Sequence, residues 1–278
     1  MRKYLLLWLC LSITLFAWSQ NPSFTVQKSG KGKAVLLLPG FVTPGSVWQE
    51  TVRQIPSKHQ MHVFTYAGFG GTAPIDTPWY AAIKRDLLLY IKKEKLSHFI
   101  IIGHSMGGTL AMDIAATLPD KVDKIVLVDA LPCMRDLMMP NVSADKILYN
   151  SPYNQQVLDM KPEAFQQMAA MMAGGMTVRK DKADTIQQWI LTADRNTYVY
   201  GYTDLLKLDL RPELARIQAK VMIIGATFPT KEVAKATMEK QFANLKSKEI
   251  VMAPDSRHFI MFDQPEWFYA QVNAFLKL

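Results

Sequence analysis

The sequence predicts an α/β fold: a mostly parallel, doubly wound sheet with a helical segment inserted into it. Three observations carry that reading. Apolar, β-branched runs alternate with helix-forming stretches from residue 34 to residue 130, the order that right-handed crossovers turn into a parallel sheet. One of those runs, Phe99 to Ile102, breaks into Gly103-His104-Ser105-Met106-Gly107 and passes at once into helix formers. Between 131 and 213 the rhythm gives way to long helical patterns carrying eight methionines, and it resumes at Val221.

The first residues read as a targeting segment rather than as fold. Arg2 and Lys3 form a charged start, Leu5 to Phe16 an apolar run, and Ala17-Trp18-Ser19 a cleavage site before Gln20. The apolar run is short for a membrane span. Residues 1–19 are therefore expected to be a signal peptide, with export to the periplasm or beyond and no stable membrane anchor after cleavage. A retained anchor is the alternative. Bulky Leu7-Trp8-Leu9 before Cys10 argues against lipid attachment.

Removal of that segment leaves about 259 residues, the size of one α/β domain. The full chain carries 32 Lys and Arg against 24 Asp and Glu. Its lysines are dispersed, with no basic helix interleaved with aromatics, so nucleic acid is not an expected partner. Of two cysteines, Cys10 leaves with the signal and Cys133 stands alone, which excludes an internal disulfide framework. No Cys/His cluster has metal-ligand spacing. Neither metal nor cofactor is expected, and the oligomeric state is not legible.

Taken in order, Phe24 to Gln27 predicts a first strand. Ala34 to Leu38 is a continuous apolar run, as in a strand buried on both faces, and it ends in Pro39-Gly40-Phe41. Trp48 to Ile55 predicts a short helix and Met61 to Tyr66 a strand. From Pro78, Ile83, Leu87 and Ile91 recur at helical spacing. The strand at 99 and its following helix come next, then a strand from Lys124 to Val128 ending in Asp129. Helices are expected over Pro162 to Ala173 and Ala183 to Asp194, a strand at Val221 to Gly225, and a helix from about Thr230 to Leu245. A strand at Glu249 to Met252 and a helix over Pro265 to Leu276 close the chain. The expected division is a core of 20–130 and 214–278 with a helical cap of 131–213.

The chemistry gathers at the turn after Ile102. In G-x-S-x-G between a strand and a helix, the serine is forced into a strained backbone that lifts its hydroxyl above the sheet. The Met106 amide then opens the helix with no acceptor of its own and can face an oxyanion.

Together these stretches resemble the α/β-hydrolase fold superfamily, and within it the cap-bearing esterase and lipase-like members. Gly103-His-Ser-Met-Gly-Gly108 resembles the nucleophile elbow, and Leu38-Pro-Gly-Phe41 the oxyanion loop with proline in place of histidine. Ala67-Gly-Phe-Gly-Gly71, Asp209-Leu-Arg-Pro-Glu213, and Ser256-Arg-His-Phe259 with Asp263-Gln-Pro-Glu266 resemble further landmarks of the family. The resemblance spans roughly 33 to 278. It implies Ser105 as nucleophile, His258 as base, and the amides of Phe41 and Met106 as the oxyanion hole.

The acid departs from the pattern. Where most members carry it after the strand at 221–225, this chain reads Gly225-Ala-Thr-Phe-Pro-Thr230, with Phe228 at the expected place. Asp129, at the end of the preceding strand, preserves the order Ser, acid, His and is the expected third member. Asp255, three residues from His258, is the rival, and Glu232 falls inside the next helix. His59, His62 and His98 read as structural histidines, and His104 as support for packing or hydrogen bonding. The resemblance implies hydrolysis of a carboxylic ester, lactone or thioester through an acyl-enzyme. A cofactor-free peroxidase or C–C hydrolase, or a catalytically silent binding protein, are the alternatives. The methionines of the insertion suggest a small-molecule partner with a hydrophobic acyl group.

Overall fold

A computed structural model describes residues 21–55 and 58–277. The expected signal at 1–19 lies outside the described residues.

The chain enters through β1 (Phe24–Gly30), β2 (Lys33–Leu38), α1 (Gln49–Gln54) and β3 (His59–Tyr66). It continues through α2 (Trp79–Lys93), β4 (Phe99–His104), α3 (Met106–Thr117) and β5 (Val122–Val128). Five helices follow without a strand: α4 (Met134–Met138), α5 (Pro152–Leu158), α6 (Pro162–Met176), α7 (Lys180–Thr192) and α8 (Arg195–Lys207). Then come β6 (Lys220–Gly225), α9 (Lys231–Gln241), β7 (Lys248–Met252), α10 (Ile260–Asp263) and α11 (Pro265–Leu276).

The seven strands form one sheet in the order β1-β3-β2-β4-β5-β6-β7. Only β1 is antiparallel, running beside β3 from Phe24 opposite Tyr66 to Gly30 opposite Gln60. The other pairs are parallel, so the ends of β2, β4, β5 and β6 open on one edge, where open α/β sheets bind ligands. Strand β4 sits at the centre with every residue buried, and each of its isoleucines contributes roughly 1.5–3 kcal/mol by leaving water. That burial on both faces explains the absence of polar alternation in its sequence.

Helix α3 is buried from Met106 to Ala116; its Gly, Ala and Thr residues let it lie close to the sheet. Contact is tightest at Gly107, where a Cβ would stand 2.1 Å from the Leu38 carbonyl oxygen. Helix α2 buries Trp79, Ile83, Leu87 and Ile91 on one face and sets Lys92 and Lys93 in its last turn, where cations suit the helix dipole.

The helical insertion is pinned to the core by polar contacts. Asp204 of α8 accepts the Tyr80 amide of α2 at 2.9 Å and the Tyr149 hydroxyl. The expected helix at 183–194 runs instead over 180–192, because Asp194 turns out of it to cap α8, accepting the Thr197 amide at 2.7 Å. The sequence pattern did not reveal α8: Thr197, Tyr198, Val199, Tyr200 and Gly201 are all weak helix formers. Helix α9 stops at Gln241 rather than Leu245, since Phe242 and Leu245 turn inward and bury themselves. Among the described residues no helix is long and apolar enough to cross a membrane.

Candidate active site

Ser105, His258 and Asp129 all line one cavity of about 410 Å³ at the open edge of the sheet. Ser105 caps α3 with φ 52° and ψ −122°, outside the regions L-residues normally occupy. The turn closes because β4 and α3 approach without side chains: a Cβ on Gly103 would lie 2.4 Å from the Gly107 carbonyl oxygen. The Ser105 amide donates to Val128 O at 2.9 Å and its carbonyl accepts from Gly108 at 2.8 Å. Those bonds hold the strained residue in place.

Asp129 follows β5 at φ 44°, with its amide donating to Ile224 O at 2.8 Å. One carboxylate oxygen lies 2.7 Å from His258 Nδ1 and the other accepts the Ala226 amide at 3.0 Å. Burial works against ionising Asp129. The His258 hydrogen bond and charge, with the Ala226 amide, outweigh it and hold the carboxyl below its ordinary range. An imidazole bonded to a carboxylate at Nδ1 keeps Nε2 for other chemistry. Ser105 faces the same cavity, though its hydroxyl makes no hydrogen bond to His258 in this structure; such contacts often tighten only with substrate bound.

The amides of Met106 and Phe41 both border the cavity. Met106 is the first residue of α3, where no intrahelical acceptor exists. The Phe41 amide has no backbone acceptor among the described residues. Beyond it, β-branched Val42 sits at φ 56°, a strain of about 1–3 kcal/mol of the kind found at functional loops. Phe41 itself is wedged against Phe69 and Trp79 at ring distances of 5.0 and 5.8 Å.

His104 does more than pack. Its side chain is fully buried, and Nε2 donates to the His258 carbonyl oxygen at 3.0 Å. A Cβ on Gly40 would lie 2.8 Å from its Nδ1, so one ring supports both the loop of His258 and the loop of Phe41. Burial and the neighbouring His258 press its pKa down to about 3, which keeps it neutral. The residues flanking His258 are tied as well. The Arg257 amide donates to Asp263 at 2.8 Å, and the Phe259 amide to Met176 O, at the end of α6, at 3.0 Å. Asp263 also accepts the Thr177 hydroxyl at 2.5 Å.

The other residues considered from sequence lie elsewhere. Asp255 and Glu232 are exposed and do not line the cavity. His62 is buried between Tyr90 and Gln60, at 2.6 and 3.0 Å, and His98 meets Asp123 at 3.0 Å on the surface. His59 is buried in β3, away from the cavity. Sequence reasoning missed the contact of His104 with the His258 carbonyl and the anchoring of Arg257 by Asp263. The only available signal was proximity to Ser105 in one case and to the His258 loop in the other. Among the described residues no group of three or more His, Cys, Asp or Glu could hold a metal ion.

Comparison with known proteins gives a family and a set of distant relatives. A model described as "Alpha/beta hydrolase family" matches residues 35–271. A pimeloyl-[acyl-carrier protein] methyl ester esterase from Aeromonas salmonicida is 22% identical over 264 residues, covering 91% of this chain and 99% of that protein. Among solved structures, a hydrolase from Pseudomonas aeruginosa aligns with a TM-score of 0.76 at 17% identity, over 92% of this chain and 94% of its own. An esterase from Exiguobacterium antarcticum aligns at 0.74 and 18% identity, over 92% and 96%.

Proposed function

Because the chain belongs to the alpha/beta hydrolase family, we propose that it is an exported serine hydrolase that cleaves a carboxylic ester through Ser105, His258 and Asp129. The observation that carries the reading is the 2.7 Å bond from Asp129 to His258 Nδ1, in the cavity that Ser105 lines.

In this mechanism His258 Nε2 takes the Ser105 proton as Oγ attacks the acyl carbonyl. Asp129 fixes the imidazole tautomer and stabilises the imidazolium that forms. The amides of Phe41 and Met106 receive the oxyanion, each donor being worth about 2.7–4 kcal/mol. The alcohol leaves with the proton from His258. Water, deprotonated by the same nitrogen, then releases the acid and restores Ser105. The reaction draws on side chains, backbone amides and water alone.

Relatives named as methyl ester esterases support an ester with a small alcohol and a larger acyl group. Their carrier-protein substrate is not carried over to this chain. Export rests on the pattern of residues 1–19, and amino-terminal sequencing of protein recovered outside the cytoplasm is expected to begin at Gln20 or within two residues. Met1 on membrane-bound protein would overturn that part.

A fluorophosphonate probe tests the mechanism. Wild type is expected to be labelled at Ser105, and Ser105→Ala to lose both labelling and ester turnover while its circular dichroism is unchanged. His258→Ala is expected to acylate far more slowly, since serine without a base is a weak nucleophile. Wild-type protein that takes no label would instead be a hydrolase-fold binding protein.

A further inference from the structure

The cavity that holds Ser105 is poor in charge and open on one side. Among the described residues that line it there is no lysine, arginine or glutamate, and its one carboxylate, Asp129, is committed to His258 and Ala226. Inside the cavity a carboxylate or phosphate would meet no cation, and burying an unpaired charge is costly; the Arg257 guanidinium lies outside the lining, beside Phe228. The walls are apolar, with Met134, Met172, Met176, Ile190, Leu205 and Leu208 among them.

Four large apolar residues both line this cavity and stand more than half exposed: Leu137 and Met138 on α4, Phe228 before α9, and Val233 on α9, at 54, 57, 60 and 53%. A residue with both properties marks the mouth. Two separate segments of the chain converge there, 137–138 and 228–233, so the exposed apolar surface is continuous with the interior. That distinguishes it from a leucine exposed singly on a helix, which needs no explanation. Phe228 also has a cation over its ring. The Arg257 guanidinium lies 5.4 Å from its ring centre and donates to the Gly174 carbonyl at 2.5 Å.

We propose, resting on the ester-hydrolase reading above, that the substrate is an ester of an apolar acyl chain that reaches out of the cavity across the Phe228–Leu137–Met138–Val233 rim, with Phe228 determining specificity. Freed from the role of catalytic acid, position 228 becomes a contact for the chain. The distal part of the acyl group covers Phe228 and its neighbours while the ester carbonyl sits at Ser105.

The test uses p-nitrophenyl acetate, butyrate and octanoate, all below micelle-forming concentrations. The expected result is a kcat/KM at least tenfold higher for octanoate than for acetate. Phe228→Ala is expected to lower kcat/KM for octanoate at least fivefold more than for acetate, through KM. Leu89→Ala removes a leucine of α2 that is 57% exposed away from this cavity, and it is expected to leave the chain-length profile unchanged. A flat profile, or equal losses on both esters in Phe228→Ala, would overturn the proposal. Fluorophosphonate labelling is run on the same preparation. Labelled Ser105 with a flat profile refutes the substrate class and leaves the serine mechanism standing; an unlabelled wild type removes both.

Discussion

The ends of β5 and β6 lie side by side on the open edge of the sheet, and they have divided their work. At the end of β5, Asp129 takes a strained backbone and gives one carboxylate oxygen to His258. At the end of β6, Ala226 contributes only its amide, to Asp129, and Thr227 turns its hydroxyl to Ala253 O at 3.1 Å. Phe228 then points no carboxylate anywhere and stands 60% exposed. Neighbouring strands are about 4.8 Å apart, so one loop carrying a histidine is within reach of a carboxylate from either end. The strand end that reaches the imidazole is that of β5, and the end of β6 presents an exposed aromatic ring in place of a carboxylate.

The variant that would break this comparison most severely is Asp129→Asn. Asparagine favours the wrong imidazole tautomer, and turnover is expected to fall by about 10⁴-fold with folding intact by circular dichroism. A loss of only a few-fold would remove Asp129 from the mechanism. Returning a carboxylate to the β6 end in Asp129→Asn/Phe228→Asp is expected to recover less than about a hundredth of wild-type rate, because Arg257 beside position 228 would capture it. Full recovery would show that the two strand ends are interchangeable.

His104→Leu sharpens the comparison by loosening His258 without touching either end. It removes a hydrogen bond to the His258 carbonyl, and kcat is expected to fall about tenfold with KM unchanged, the effect of roughly 1.5 kcal/mol. His104→Gln, which can still donate, should restore most of it. If both variants match wild type, the contact is only packing.

His104 also predicts an acid-side stability loss. Its folded pKa, about 3, lies below the ordinary 6.5, so the unfolded chain takes the proton first. Its contribution is complete above pH 6.5 and is lost as pH falls toward about 3. Urea unfolding should show His104→Gln losing roughly 3 kcal/mol less stability than wild type between pH 7.5 and 4. Equal losses would refute the buried, neutral imidazole. Smallest of all, Asp255→Asn and Glu232→Gln are expected to stay within about twofold of wild-type turnover, as exposed residues outside the cavity do.

The elements built from continuous apolar runs were legible from sequence because double-sided burial dictates their composition. Ser105 was legible because its turn demands glycine on both sides, and its immediate neighbours carry that demand. Asp129 was legible only through what is missing after Gly225. The contact of His104 with the His258 carbonyl spans 154 residues, and no local pattern encodes it. Helix α8 was hidden for a related reason. Its weak local propensity is overridden by tertiary anchors, chiefly Asp204 on the Tyr80 amide.

The three residues 257, 258 and 259 are each fastened to a different body: Asp263 on α10, His104 on β4, and Met176 at the end of α6. The insertion is therefore bonded at that end to the residues on either side of His258. Raising it would break the Phe259 and Arg257 bonds to Met176 and Gly174, at about 0.5–1.5 kcal/mol or more each. Parting the two costs only roughly 1–3 kcal/mol, and His258 then keeps its own bonds to Asp129 and His104, so this end of the insertion can give while the imidazole holds its place.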